Sequence, residues 1–281
     1  MSPEESDLAS KASLLTAGLR QLGRTLVAYS GGVDSAYLAW VAYRELGTNM
    51  LAVIADSPSL ARTQLADALA FAKERNIPVE VIRTAELDRE EYLRNDGQRC
   101  FQCKDELFSV VERIRAERAF DTVAYGVNLD DQGDFRPGQQ AAKLHRVAAP
   151  LLAAGLGKQD IRELARQAGL RVWDKPASAC LSSRIEYGRP VTPEALSAVE
   201  QGEDAIRALG FRQFRVRHHG DIVRIEIARE EFERALTPVM AMEFTAIFKR
   251  LGFKFVTLDL EGFRSGSMNA LLPLEQIRGT G

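Results

Sequence analysis

Short continuous apolar runs alternate with amphipathic stretches along the first two thirds of the chain. Leu8, Leu15, Leu19 and Leu22 recur at helical spacing and predict a helix over 6–22. Thr25-Leu26-Val27-Ala28-Tyr29 predicts a buried strand, and Ala36 to Ala42 a helix ending near Gly47. Leu51-Ala52-Val53-Ile54 reads as a second strand. The helix after it carries Leu65, Ala68, Leu69 and Ala72 and stops before Ile77-Pro78. Val79-Glu80-Val81-Ile82 is a third strand. A helix over about 104–118 leads to a fourth, Thr122-Val123-Ala124-Tyr125-Gly126, and a later helix near 158–168 closes at Gly169. This alternation predicts an α/β fold, a doubly wound parallel sheet with helices on both faces.

The pattern changes after Arg184. Thr192-Pro193 is a helix start, with Thr as N-cap and Pro in the first turn. Leu196, Val199, Ile206 and Leu209 form its buried stripe, and Gly210 ends it. Phe214 to His218, a His219-Gly220-Asp221 turn and Ile222 to Ile227 read as a hairpin. Alternation sends Phe214 and Val216 to one face and Arg215 and Arg217 to the other, and likewise separates Val223, Ile225 and Ile227 from Arg224 and Glu226. Helical segments and a last strand over 253–260 complete a smaller α+β unit. The expected domains are 1–185 and 186–281.

Between the first strand and its helix lies Ser30-Gly31-Gly32-Val33-Asp34-Ser35. Glycines admit close backbone approach, and a helix N-terminus presents N–H groups and a favourable dipole to an anion. The ordinary alternative is a glycine turn. No Lys follows the second Gly, so the loop is not of the Gly-x-x-x-x-Gly-Lys-Ser/Thr kind. Ligands of parallel sheets bind at the carboxyl ends of strands, which brings 30–35, 55–58 and 126–136 to one crevice. The last stretch holds Gly126, Asn128, Asp130, Asp131, Asp134 and Arg136. Its carboxylates suit Mg²⁺ and Arg136 suits a phosphate or carboxylate; a solvated turn is the plain alternative.

Arg99-Cys100-Phe101-Gln102-Cys103-Lys104 is a C-x-x-C motif between basic residues, which favour thiolate. Such a pair binds one metal, supplies two ligands to an iron–sulfur cluster or works as a redox dithiol. His145, His218 and His219, the histidines of the chain, show no zinc-ligand spacing with Cys180. Cys180, in Pro176-Ala177-Ser178-Ala179-Cys180, is either a plain buried cysteine or one that the backbone presents to a ligand.

Composition narrows the class. The chain has 281 residues, suited to two domains, and a net charge of −2, which gives no global support for nucleic-acid binding. Three cysteines without a signal-like N-terminus argue against a disulfide scaffold. No run approaches the length of a membrane span, so a soluble cytoplasmic protein is expected.

The 30–35 loop resembles that of the PP-loop ATP pyrophosphatases, which implies cleavage of ATP between its α- and β-phosphates. Several further stretches match together. These are Cys100-x-x-Cys103-Lys104, Gly126-x-Asn128-x-Asp130-Asp131-x-x-Asp134-x-Arg136-Pro137-Gly138, Pro176 to Arg184, and Gly262-Phe263-Arg264-Ser265-Gly266-Ser267-Met268-Asn269. With the loop they resemble the LarE family of ATP-dependent sulfur transferases through nearly the whole chain.

The resemblance implies adenylylation of a carboxylate of pyridinium-3,5-biscarboxylic acid mononucleotide. Sulfur then attacks to give a thiocarboxylate for the nickel-pincer nucleotide of lactate racemase. It implies ATP at Ser30, Gly31, Gly32, Asp34, Ser35 and Gly126, with Asp34 catalytic and Asp131 a candidate Mg²⁺ ligand. Cys180 matches the sulfur-delivering cysteine. Cys100 and Cys103 with it resemble the subgroup that holds a 4Fe-4S cluster, whereas elsewhere in the family a lone cysteine gives up its own sulfur and becomes dehydroalanine. Ser183, Arg184, Arg215 and Arg217, with Arg136, are implied in substrate binding, and Glu226 and Arg264 are weaker matches. A homo-oligomer, trimer or hexamer, is implied, without nucleic-acid or membrane partners. The rival readings are a PP-loop tRNA thiolase, an amidotransferase-type synthetase and a non-enzymatic ATP-binding regulator with a structural metal.

Overall fold

A computed structural model describes residues 3–132, 137–176, 179–264 and 267–268, the side chains of 3–5 excepted. The chain forms two units, one of Met1–Glu86 with Cys100–Ser178 and one of Leu87–Arg99 with Ala179–Gly281.

In the first unit the helix Pro3–Gln21 (α1) precedes strand β1, Thr25–Ala28, and helix α2, Val33–Leu46. Strand β2 is Met50–Asp56, helix α3 Arg62–Glu74, β3 Val79–Arg83 and β4 Thr122–Tyr125. The four strands run parallel in the order β3-β2-β1-β4. Alternate strand residues enter different cores. Val27, Ala52 and Ile54 pack with Leu15, Leu19, Leu38, Phe71 and Ile161 on one face. Leu26, Val53 and Val123 pack with Val111 and Phe120 on the other. Both faces of the inner strands are thus covered, which is why β1 and β2 read as continuous apolar runs.

The helix expected over 104–118 is longer and spans Arg99–Glu117. Cys100 and Cys103 therefore lie in its first turns, three residues apart on one helix face. The amphipathic stripe of the helix becomes visible only from Leu107 onward, where Leu107, Phe108 and Val111 reach the cores.

In the second unit the helix Pro193–Ala208 is capped by Thr192, whose hydroxyl accepts the Ala195 N–H. Strands β5, Phe214–His219, and β6, Ile222–Ile227, form an antiparallel hairpin, and β7, Phe255–Leu258, adds in parallel to β6. The helix Pro238–Arg250 makes the crossover. Phe248, Phe211, Val216 and Ile225 build its core.

The two compact units divide at Ser178–Ala179, with Leu87–Arg99 in the second. The reason is Asn95, fully buried in a left-handed conformation (φ 53°). Its side-chain amide donates to the carbonyls of Glu186 (2.9 Å) and Arg189 (3.0 Å), while the Val191 N–H donates to the Leu93 carbonyl (3.1 Å). The polar face of the hairpin is internal. Glu226 is 0% exposed and Arg217 5%, so strand alternation there separates an apolar core from a buried ionic layer and not from solvent.

Candidate functional site

In the first unit the loop 30–35 turns from the end of β1 into α2. Gly31 takes φ +72°, and a Cβ there would lie 2.5 Å from Cβ of Ala68 on α3; only glycine makes this turn at this clearance. Ser30 N–H donates to Ser35 Oγ (3.1 Å), which donates to the Gly32 carbonyl (3.2 Å). The loop is therefore closed by its own serines. Gly32 stands at the N-cap with no side-chain cap, which leaves the first-turn N–H groups of α2 to external acceptors. Gly126, at the end of β4, approaches so closely that a Cβ would sit 2.8 Å from the Ser35 nitrogen.

The strand-end block beyond Gly126 is a built wall. Asn128 Oδ1 accepts the Asp131 N–H and Asp131 Oδ2 accepts the Asn128 N–H, both at 3.2 Å, a reciprocal cap. Asp130 Oδ2 accepts the backbone N–H of Lys158 (2.6 Å). Burial and then the neighbouring Asp131 carboxylate push the Asp34 carboxyl above the usual carboxylate range, while Lys158, the Asn128 amide and Arg162 pull the other way. Asp34 Oδ1 is buried and accepts no hydrogen bond.

An orphaned carboxylate oxygen beside a second carboxylate, at an anion-binding loop, fits the partial protein shell that Mg²⁺ takes when phosphate and water complete it. Among the described residues no group of three or more metal-binding side chains is gathered. Asp134 and Arg136 lie outside the described residues. Cys100 is exposed and Cys103 partly so, and all three cysteines are outside disulfides. Two thiols on one helix face fit two ligands of a cluster. Arg99, expected beside the thiols, is buried and donates to Asn95 Oδ1 and to the Ser182 carbonyl (2.8 Å).

The second unit carries Cys180, partly exposed, at the start of the short helical turn Leu181–Arg184. Its carbonyl accepts Ser183 Oγ (2.7 Å) and Arg184 Nη1 (3.0 Å). Arg184 is buried, and its Nε donates to Glu203 Oε1 (2.9 Å). A buried ion pair thus braces the backbone that presents Cys180. Arg217 donates to Glu226 Oε2 (2.8 Å), Ser267 Oγ (2.9 Å) and the Ser183 carbonyl (3.1 Å), and its buried Nε has no partner. Arg215 lies over the Phe263 ring. Burial first, then the like charges of Arg184 and Arg217 against the opposing Glu203 and Glu226, lowers the Arg215 guanidinium to about 10. Arg184, Arg215 and Arg217 thus gather positive charge around Glu203 and Glu226 in a largely buried ionic layer, of a kind that binds anions. Arg264 lies 3.4 Å from Asp259, which also pairs with Arg224 beside Glu226.

Sequence reasoning missed Glu203, Lys158 and Arg162. Glu203 falls on a helix among ordinary surface-type positions, and only the fold turns it toward Arg184.

A parallel sheet carrying Ser-Gly-Gly-x-Asp-Ser between β1 and α2, followed by a smaller mixed-sheet unit, defines a protein of the PP-loop class. No protein-family model matches the chain. Curated relatives do. An uncharacterized protein of Synechocystis is 41% identical over 94% of this chain and 99% of its own length. The pyridinium-3,5-bisthiocarboxylic acid mononucleotide synthase of Lactiplantibacillus plantarum is 35% identical over 96% and 98%. An uncharacterized protein of Methanocaldococcus jannaschii is 29% identical over 86% and 91%. The chain belongs to the LarE family. Among the described residues no helix is long and apolar enough to cross a membrane.

Proposed function

We propose that the protein is an ATP-dependent sulfur transferase that converts a carboxylate of pyridinium-3,5-biscarboxylic acid mononucleotide to a thiocarboxylate. The reading is supported most by one observation, the serine-closed loop 30–35 with the orphaned Asp34 carboxylate oxygen at its helix start. The 35% identity to a synthase of that name agrees with it.

A carboxylate is a poor electrophile. In the proposed reaction one of its oxygens attacks the α-phosphorus of ATP, the bond to the β-phosphate breaks and pyrophosphate leaves. The first N–H groups of α2 receive the departing charge. Mg²⁺, held through Asp34 and Asp131, would neutralise triphosphate charge when bound. Sulfur then attacks the acyl carbon and AMP leaves. Arg215 and Arg217, with Arg184 behind them and Ser183 beside Cys180, hold the mononucleotide phosphate. Arg136 is a further proposed contact of the substrate.

Cys100, Cys103 and Cys180 would hold a 4Fe-4S cluster, which when bound supplies a sulfur carrier that turns over repeatedly. The alternative is favoured by the brace on Cys180, whose carbonyl is gripped by Ser183 and Arg184. Here Cys180 Sγ attacks, AMP leaves, and loss of the Cα proton with cleavage of the Cβ–S bond yields thiocarboxylate and dehydroalanine. We propose a cytoplasmic homo-oligomer, trimer or hexamer, as the working form.

The test is AMP release by anaerobic protein with Mg²⁺-ATP. Release that depends on the mononucleotide is expected. Release that appears only with tRNA would replace this reading with a tRNA thiolase. The mass of the chain after turnover separates the sulfur sources: a loss equal to H2S at Cys180 marks the sacrificial route, and an unchanged mass the carrier.

A further inference from the structure

The ionic layer of the second unit extends past Arg217 toward the hairpin turn. Arg217 pairs with Arg224 across the hairpin, Arg215 with Glu226 and His219 with Ile222. Alternation therefore puts His219, Arg217, Arg224 and Glu226 on one sheet face. Glu226 accepts Ser267 Oγ (2.6 Å) on Oε1 and Arg217 (2.8 Å) on Oε2. Arg224 lies close to Asp259 Oδ2 (2.6 Å) and more loosely against Glu226 Oε1 (3.4 Å). Its Nε donates to His219 Nε2 (3.3 Å), and His219 Nδ1 lies 3.1 Å from Glu186 Oε1.

A guanidinium has donors only. His219 Nε2 must therefore present its lone pair, which places the ring proton on Nδ1, toward Glu186. In this neutral form the ring is one link of a continuous chain, Glu186–His219–Arg224–Glu226–Arg217. Protonation adds a hydrogen at Nε2 and sets two donors and two positive charges against each other. The contact of Arg224 with Glu226 is its longer ionic contact and the first that such repulsion would break. Glu226 is 0% exposed. With one cation fewer, more of its charge falls on Arg217.

The other charged groups about the ring are engaged in pairs. Arg189 pairs with Glu186, Asp221 in the turn pairs with Lys254, and Arg264 shares Asp259 with Arg224. His218 belongs to the opposite face. Its ring meets Phe253 edge-on, and its Nδ1 accepts the Gly220 N–H (3.2 Å).

We propose that neutral His219 is a positioning residue for the anion-binding layer. Through Arg224 it offsets part of the Glu226 charge and so leaves Arg217 available to the mononucleotide phosphate. Protonation of His219 weakens that hold. The inference rests on the substrate reading of Arg215 and Arg217 and adds a residue that itself touches no substrate.

The test is equilibrium binding of pyridinium-3,5-biscarboxylic acid mononucleotide by calorimetry at about pH 8 and about pH 5.5, the range in which histidines change charge. His219→Gln keeps an acceptor for Arg224 and cannot become charged. Comparing it with wild type at each pH cancels the titration of the ligand's own phosphate. The two should bind alike at the higher pH, and wild type should bind about threefold or more weaker than His219→Gln at the lower. His219→Leu, which removes the acceptor, should bind about threefold or more weaker than wild type at the higher pH, the range of one hydrogen bond. A ratio of wild type to His219→Gln that stays constant with pH would overturn the inference and mark His219 as structural only. Wild-type affinity in His219→Leu at the higher pH would also overturn it, leaving the substrate reading standing. Wild-type protein that does not bind the mononucleotide at the higher pH would overturn the substrate reading and this inference together.

Discussion

Replacing Gly126 by Ala adds one methyl group where the structure has no room for it. The new Cβ would lie 2.8 Å from the Ser35 nitrogen, 2.9 Å from Ser35 Cα and 3.1 Å from the Asp34 carbonyl carbon. All three are backbone atoms of the first turn of α2, so no side chain can swing aside. Relief requires β4 and α2 to separate by several tenths of an ångström against a core that includes Ala36, Leu38 and Ala124. Overpacking of this kind costs about 1–3 kcal/mol. The same shift moves the N–H groups that we assign to the ATP phosphates, so Mg²⁺-ATP affinity should fall at least as far as stability does, by about tenfold or more. Gly18→Ala is the matched control. It lies in the last turn of α1 with nothing within 4 Å of the added Cβ, and should stabilise by about 0.5–1 kcal/mol or less through helix propensity alone. Chemical denaturation and ATP titration of both variants measure the contrast. Gly126→Ala with wild-type stability and wild-type ATP affinity would refute the claim that this close approach shapes the loop.

Three further substitutions probe other parts. Asp34→Asn should raise the thermal midpoint near pH 7 while weakening Mg²⁺-ATP binding. Because folding raises the Asp34 carboxyl above its ordinary 3.8, the native state binds more protons in that window. The wild type therefore loses stability as pH rises through it, and the gain from Asn should shrink toward zero below pH 3.8. Glu203→Ala strands the buried Arg184 charge and should cost about 3–5 kcal/mol by denaturation. It should also speed Cys180 labelling by a maleimide, since Arg184 braces that backbone. Asn95→Ala removes a fully buried amide and leaves the part-buried carbonyls of Glu186 and Arg189 without their donor, and should lower stability by about 1–3 kcal/mol without changing ATP affinity.

What the sequence made legible was local. The β1–loop–α2 unit needs only an apolar run, two glycines and a helix start in succession, and the structure has that order. The parallel sheet followed because its inner strands β1 and β2 are largely buried on both faces and so read as unbroken apolar runs. The missed features depend on distant partners. Asn95 draws Leu87–Arg99 to the second unit through contacts about ninety residues away in sequence, at separations of 91 and 94. The ion pair of Arg217 with Glu226 was not legible, because alternation reports two faces without saying what covers each. Ser267, which hydrogen-bonds both, comes from a segment forty residues further on, at a separation of 41 from Glu226. The cysteine helix begins at Arg99 because Asp96 Oδ1 accepts the Gln98 N–H (2.8 Å) and starts the turn earlier than the apolar stripe suggests.

The most direct test of the account is the mass of the pyridinium-3,5-biscarboxylic acid mononucleotide after incubation with the protein, Mg²⁺ and ATP without oxygen. Conversion predicts the exchange of one carboxylate oxygen for sulfur, with AMP formed in equal amount. A mononucleotide of unchanged mass, with ATP consumed or intact, would contradict the assignment of this chain as its sulfur transferase.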